Sequence, residues 1–405
     1  MYRSLTGAAQ ASPALSTNNP AAGRRNLAPV LVPNVGSTWV SRDQGATNQS
    51  NGTDTQMHTL KKHTAIGAGT GFWVHFTNSY NFGGTPTDNT DSITVRCAFS
   101  IGGIFYRVWF GDGTTRDATI EPGGGAWGFC GGHYESGDTL FSRTKVSVAS
   151  AGMKWPIGLG EAMNGTDEGA VGTTSSTDLT TSGTITANSN AGYFPAAILG
   201  LAQPTSQSIL AVGDSILAGK GDSSVAGLGA GWFIRAAASI PHLRAMPFSG
   251  ETAGQWLAAN GSQTQIHTFS RGHFTAGLCE YGINDITGGQ TLVNVQARLS
   301  EIWRQMDALG MRVYQTTLPP VTTSTDSWAT TANQTVTATN GIRTQVNDWI
   351  RTVPAPLAGY VEVADAAETS RNSGIWNALY TSDGTHPNGV GHLALSTAVN
   401  LSLLT

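Results

Sequence analysis

The chain has 405 residues, too many for one ordinary core, so two folded units are expected. Only 12% of residues are charged, about half the usual share, and the net charge is −4 with no basic stripe, which argues against a nucleic-acid partner. No run approaches the roughly 18 apolar residues of a membrane-spanning helix, and the opening Met1-Tyr2-Arg3-Ser4-Leu5 lacks the apolar stretch of a secretory signal peptide.

Residues 1–30 are rich in Ala, Ser, Asn and Pro without any period. They read as an arm or linker, either a tail or an anchor that orders on a larger assembly. From 31 to 205 the pattern has period two. Phe72, Val74 and Phe76 alternate with Trp73 and His75; Ile93, Val95, Cys97 and Phe99 alternate with Thr94, Arg96 and Ala98; Ile104, Tyr106, Val108 and Phe110 alternate with Phe105, Arg107 and Trp109. Alternation places each set on one face of a pleated strand, and the Gly-rich breaks between runs predict an all-β sandwich or jelly roll. The small, polar stretches Ser41–Met57 and Asn164–Gly192 are expected to be exposed loops. His58 and His63 flank Lys61 and Lys62 at a spacing that suits neither a helix nor one strand face, so they read as solvated loop residues rather than metal ligands. Cys97, Cys130 and Cys279 form no C-x-x-C pair. They read as separate buried thiols, with a Cys97–Cys130 bridge as the alternative.

From 206 to 405 strands alternate with helices. The expected strands are Ser208–Val212, Leu243–Pro247, Phe274–Glu280, Met311–Thr317 and Tyr360–Ala364. A helix is predicted where Leu292, Val295, Leu299, Ile302, Met306 and Leu309 recur at steps of three and four before Gly310. Others are expected over Gly341–Arg351 and from Gly389 onward. This alternation implies a parallel sheet covered on both faces, with its site beyond the carboxyl ends of the strands.

The polar clusters fall at those ends: Gly213-Asp214-Ser215-Ile216, Ser249-Gly250-Glu251-Thr252, Gly282-Ile283-Asn284-Asp285 and, before the last helix, Asp383-Gly384-Thr385-His386-Pro387-Asn388. Acyl transfer needs a hydroxyl, an imidazole to take its proton, a carboxylate to orient the ring, and donors for the oxyanion. Ser215, His386 and Asp383 supply the first three. The Ser215 and Gly250 backbone N–H groups and the Asn284 amide supply the donors. Asp214 and Asp285 read as carboxylates that fix loop backbone, and Asp365 as a structural residue that rivals Asp383 only on position. Trp232 and Trp256 read as core, and His392 as packing or capping. The Thr-rich Val321–Asn340 segment reads as either a lid or a plain loop.

In order and separation these four blocks resemble the SGNH (GDSL-type) hydrolases, over the last 200 residues and none of the first 200. The resemblance implies a flavodoxin-like three-layer domain with a five-stranded parallel sheet. It implies Ser215 as nucleophile, His386 as base with Asp383 as its orienter, Ser215, Gly250 and Asn284 at the oxyanion hole, and no metal or organic cofactor. Ile216 replaces the family's more usual leucine, and no asparagine precedes the second block. The expected activity is hydrolysis of carboxylic esters. A β-sandwich joined to such a domain resembles esterases that remove O-acetyl groups from polysaccharides, so the expected partner is an acylated small molecule or polysaccharide. The low charge and the Gly, Ser, Thr and Asn content also suit a phage tail or head-spike attachment protein, in a homo-oligomer or virion assembly. Both readings favour an extracellular or virion-associated place over the cytoplasm.

Overall fold

The computed structural model describes residues 31–32, 35–37, 48–65, 68–82, 85–158, 163, 165–201, 209–222, 231–237, 243–258 and 274–404. The expected arm, residues 1–30, lies outside them, as do residues 41–47 and 202–208.

Among the described residues of 31–201 every strand pair is antiparallel. The main strands pair in one unbroken order whose centre runs Gly69–Thr77, Gly125–Tyr134, Ile104–Phe110, Ile93–Ile101, Thr139–Ser147, Gln56–Ala65. Phe72, Val74, Phe76, Val95, Cys97 and Phe99 are fully buried, as alternation requires. The sheet curls onto itself. Phe72 and Phe99 stand three strands apart in that order, which is about 14 Å across a flat sheet. Their rings nevertheless meet edge-on at 4.7 Å. Both halves of the sheet therefore enclose one core, which also takes in Trp155 and Tyr193.

Two expectations for this region are corrected. His58 and His63 do not lie in a solvated loop; both sit in the strand Gln56–Ala65, 1% and 2% exposed. An odd separation along a strand places them on opposite faces, so they share no ligand. His58 Nε2 accepts from Leu179 N–H, and His63 Nε2 lies 2.8 Å from Ser142 Oγ. Burial, and then nearby cationic side chains, lower their pKa to about 4 and about 3, so both are neutral. The polar stretch ending at Met57 is not all loop: it holds short pairing at Asn48–Gln49 and enters the long strand at Gln56. Within the second expected loop, Gly169–Thr173 pairs with the same long strand, because Lys61 and Glu168 form a buried ion pair beside it. The three cysteines are free and buried.

Residues 209–404 carry a five-stranded parallel sheet in the order Leu243–Pro247, Ile209–Gly213, Ala276–Cys279, Arg312–Thr316, Leu357–Val361. In chain order this is 2-1-3-4-5, the flavodoxin-like arrangement. Helices Ala253–Leu257, Leu292–Asp307 and Asn340–Arg351 pack as one group; Gly231–Ala236, Ala364–Ala367 and Gly389–Ala398 pack as another. Right-handed crossovers put these groups on opposite faces of the sheet. The predicted helix at 292 is present with Val295, Leu299, Ile302 and Met306 buried, but it stops at Asp307. Leu309 is 46% exposed, because the chain turns back through Gly310. The last strand lies three residues earlier than expected, since pairing with Arg312–Thr316 fixes its register and the chain is already helical at Ala364. No helix among the described residues is long and apolar enough to cross a membrane.

Candidate active site

The first strand and its neighbours send their carboxyl ends to one rim, where the chain order reverses between Leu243–Pro247 and Ala276–Cys279. Ligands of such sheets bind there, because the two flanking connections leave in opposite directions and open a crevice. Ser215 lies in the turn after Gly213 and is 6% exposed. Its Oγ is 2.8 Å from Nε2 of His386. On the other side of the ring, Nδ1 is 2.7 Å from Oδ2 of Asp383. Residues 171 apart in sequence are thus joined in one chain of hydrogen bonds.

Asp383 holds the ring through a local turn. Its Oδ1 accepts the backbone N–H groups of Thr385 and His386, at 2.9 and 2.8 Å. Burial by itself pushes this carboxyl up, but the hydrogen bonds from His386 and Thr385 outweigh it and hold the group below the usual carboxylate range. Asp383 is therefore the anion that a ring N–H at Nδ1 donates to.

Gly250 sits in the turn between Leu243–Pro247 and the next helix, exposed and at φ +84°. Phe248 N–H donates to Gly213 O, and Glu251 N–H donates to Phe248 O, which fixes this turn against the first strand. Thr252 then caps the helix Ala253–Leu257 in a capping box with Gln255. Asn284 Nδ2 donates to Glu251 O at 3.0 Å and to Asp214 Oδ2 at 3.1 Å. The Asn284 amide therefore ties the Gly250 turn to the residue before Ser215. All five residues singled out from the sequence belong to this one connected cluster.

The remaining candidates are placed elsewhere. Asp285 accepts from Ala253 N–H and Gly254 N–H and pairs with Arg298, so it caps a helix. Asp365 pairs with Arg351 and Arg371 and not with His386. His392 accepts from Trp232 N–H at Nδ1, and burial lowers its pKa to about 4. Trp232 and Trp256 are core.

Three features escaped sequence reading. Val321–Asn340 is neither open lid nor plain loop: Thr322–Ser324 and Gln334–Val336 form a hairpin docked on the His386 turn. Thr322 N–H and Trp376 Nε1–H both donate to Gly384 O, at 2.9 and 3.0 Å. Tyr281 Oη–H donates to the buried Glu251 carboxylate beneath the Gly250 turn. Glu280, at the exit of the central strand, accepts from Asp214 N–H at 3.0 Å and is fully buried beside Asp214. A carboxylate ending an apolar strand is the one sequence signal that pointed to it.

Burial pushes the Asp214 and Glu280 carboxyls up, reinforced at Asp214 by the charge of Asp285 and at Glu280 by that of Asp214, so this pair keeps a proton that each would lose in the unfolded chain. Raised folded values mean the native state binds more protons than the unfolded one above the ordinary carboxylate range. Stability from this pair is complete at acid pH and is lost as pH rises through the folded values. We expect the thermal midpoint to fall as pH rises from the ordinary carboxylate range through about 7, where Asp214 titrates, and Glu280→Gln, which keeps a neutral group there, to flatten that slope. Equal slopes in parent and variant would contradict the assignment.

Residues 211–394 match the sequence model of the GDSL-like lipase/acylhydrolase family. Solved structures similar to this chain include a GDSL-like lipase from Bacteroides thetaiotaomicron, 18% identical with a TM-score of 0.36, covering 49% of this chain and 89% of that one. An acetylxylan esterase from Geobacillus stearothermophilus is 17% identical with a TM-score of 0.36, covering 49% and 94%. A salicylyl-acyltransferase from a tetracycline biosynthetic pathway is 12% identical with a TM-score of 0.33, covering 86% and 81%. None of the curated proteins compared matches the chain. The chain therefore carries, over residues 211–394, a domain of the GDSL-like lipase/acylhydrolase family, a family of ester hydrolases.

Proposed function

We propose that this chain hydrolyses carboxylic esters with Ser215 as nucleophile, His386 as general base and Asp383 as the orienter of its ring, and that its substrate is an O-acetylated polysaccharide. The observation that carries the reading is the hydrogen-bonded run from Ser215 through His386 to Asp383 inside the family-matched segment. Ser215 Oγ attacks the ester carbonyl carbon while its proton passes to His386 Nε2. Negative charge collects on the carbonyl oxygen, where the Ser215 and Gly250 N–H groups and one Asn284 amide hydrogen receive it. At rest, both Asn284 amide hydrogens serve Asp214 and Glu251 O, so one is handed over as the oxyanion forms. The imidazolium, stabilised by Asp383, then protonates the departing alkoxide, leaving an acyl-Ser215. Water attacks that acyl group, His386 takes its proton and returns it to Ser215, and the carboxylic acid leaves.

The polysaccharide follows from organisation. A β unit at 31–205 joined to a hydrolase unit at 206–405 suits a catalyst carried beside a surface that holds a chain. An ionically sparse surface rich in Ser, Thr, Asn and Gly fits a hydroxyl-rich partner. The test combines a fluorophosphonate probe, mapped by mass spectrometry, with acetate release from 4-nitrophenyl acetate and from neutral and acidic acetylated polysaccharides. Labelling of Ser215 and acetate from the polysaccharides are expected. No labelling would remove the mechanism, whereas cleavage of the simple ester alone would remove only the glycan.

A further inference from the structure

The outer face of the β unit carries a groove of about 520 Å³, lined by Phe105, Tyr106, Arg107, Trp109, Gly131 and Thr181. Its floor follows from strand periodicity. Val108 and Phe110 turn into the core, so Phe105, Arg107 and Trp109 stand on the opposite face. Cross-strand register then sets a row of cations: Arg107 lies opposite Ala98, which lies opposite Arg143, and Arg96 lies two residues from Ala98 on the same face. Arg143 donates to the carbonyls of Leu179, Ser182 and Gly183, which folds the loop bearing Thr181 onto the groove.

Charge here is not balanced. Arg96 is paired with Asp117 and Asp178. Arg143 is spent on carbonyls and lies 5.5 Å from the Phe105 ring centre. Arg116 lies 5.6 Å from the Trp109 ring centre, and its Nε and Nη2 are buried with no hydrogen-bond partner. The two carboxylates whose fields reach Arg116 are Asp178 and Asp117, against its own charge and those of Arg107 and Arg96. Both of these Arg116 nitrogens are closed to solvent, so Arg116 acts on the groove through its charge rather than as a donor.

We propose that this groove binds an acidic glycan, its carboxylates or sulfates taken by Arg107, with the charge of Arg116 beside Trp109 adding to the local positive field, and its sugar faces laid against Phe105 and Trp109. Planar guanidiniums suit carboxylate and sulfate oxygens, and aromatic faces suit the apolar face of a pyranose. A chain of net charge −4 with a short local row of cations lacks the extended basic surface on which nucleic-acid binding draws. The choice of a glycan rests on the polysaccharide esterase reading; the groove would hold the chain that Ser215 deacetylates.

The test is titration of the full chain with oligogalacturonate, oligosialate, a heparin oligosaccharide, neutral xylo-oligosaccharide and a single-stranded oligonucleotide. At least one acidic glycan is expected to bind, weakening with salt. Arg107→Ala should weaken it about tenfold or more, and Phe105→Ala by roughly three- to tenfold. Both side chains are exposed, so neither change threatens the fold, and hydrolysis of 4-nitrophenyl acetate should stay at the parent level. Absence of binding to all three acidic glycans, indifference to both substitutions, or tighter binding of the xylo-oligosaccharide or oligonucleotide would overturn the proposal. Loss of ester hydrolysis in the parent would count against the esterase alone, because glycan binding is read without turnover.

Discussion

Replacing Ser215 with alanine is expected to lower kcat on a short acyl ester by about 10⁴-fold or more while leaving the thermal midpoint within a few degrees of the parent. The hydroxyl is the atom that forms the acyl bond in the proposed mechanism, so its loss leaves only positioning and oxyanion donors to act on a water. Structurally the change is small. Ser215 Oγ gives up one contact, to His386 Nε2, while Asp214 and Asn284 keep their own hydrogen bonds. The His386→Ala variant should lose activity to a similar extent, and the double variant should be little worse than either single one, because base and nucleophile act as a unit. A Ser215→Ala protein within tenfold of parent activity, or one still labelled by a fluorophosphonate, would refute the assignment.

The second large effect is expected at Gly384, which no chemistry touches. It takes φ +78°, and a methyl group there would lie 2.0 Å from the Thr322 carbonyl oxygen and 2.6 Å from the Trp328 ring. Positive φ at alanine costs about 1–3 kcal/mol, and the overlap adds to it. The turn must therefore part from the hairpin, breaking the hydrogen bonds that Thr322 N–H and Trp376 Nε1–H give to Gly384 O. His386 is two residues away and moves with it. A displacement of about 1 Å is enough for roughly 10² in rate. Gly384→Ala should thus lose about 10²-fold or more in kcat and several degrees in midpoint. Gly384→Asn should do no better: asparagine tolerates positive φ, but the collision with the Thr322 carbonyl remains. Recovery by asparagine would mean that backbone strain alone governs this position.

Gly384 also marks where sequence reading stops. Its block was legible, because Asp383 and His386 lie on one turn and their contact is local. The Thr322–Val336 hairpin was not, because nothing in a run of threonines says that it will dock on a turn some 50 residues later. His58 and His63 failed in the same way. Their odd spacing excluded a shared site, yet only pairing with Thr139–Ser147 and Gly169–Thr173 turned that segment into an interior strand and made both rings neutral. The Arg116 donors are a third case, since their isolation depends on strands meeting across the sheet.

The amino-acid order by itself determined the strand and helix periods, the four polar blocks at strand exits, and the pairing of Asp383 with His386, since each depends on residues a few positions apart. Tertiary structure alone decided how the β sheet closes on its core, where the last parallel strand starts, and that Glu251 and Glu280 lie buried beneath the turns of the site. Those outcomes depend on burial and on partners distant in the chain, and burial is a property of the packed whole that no local pattern encodes.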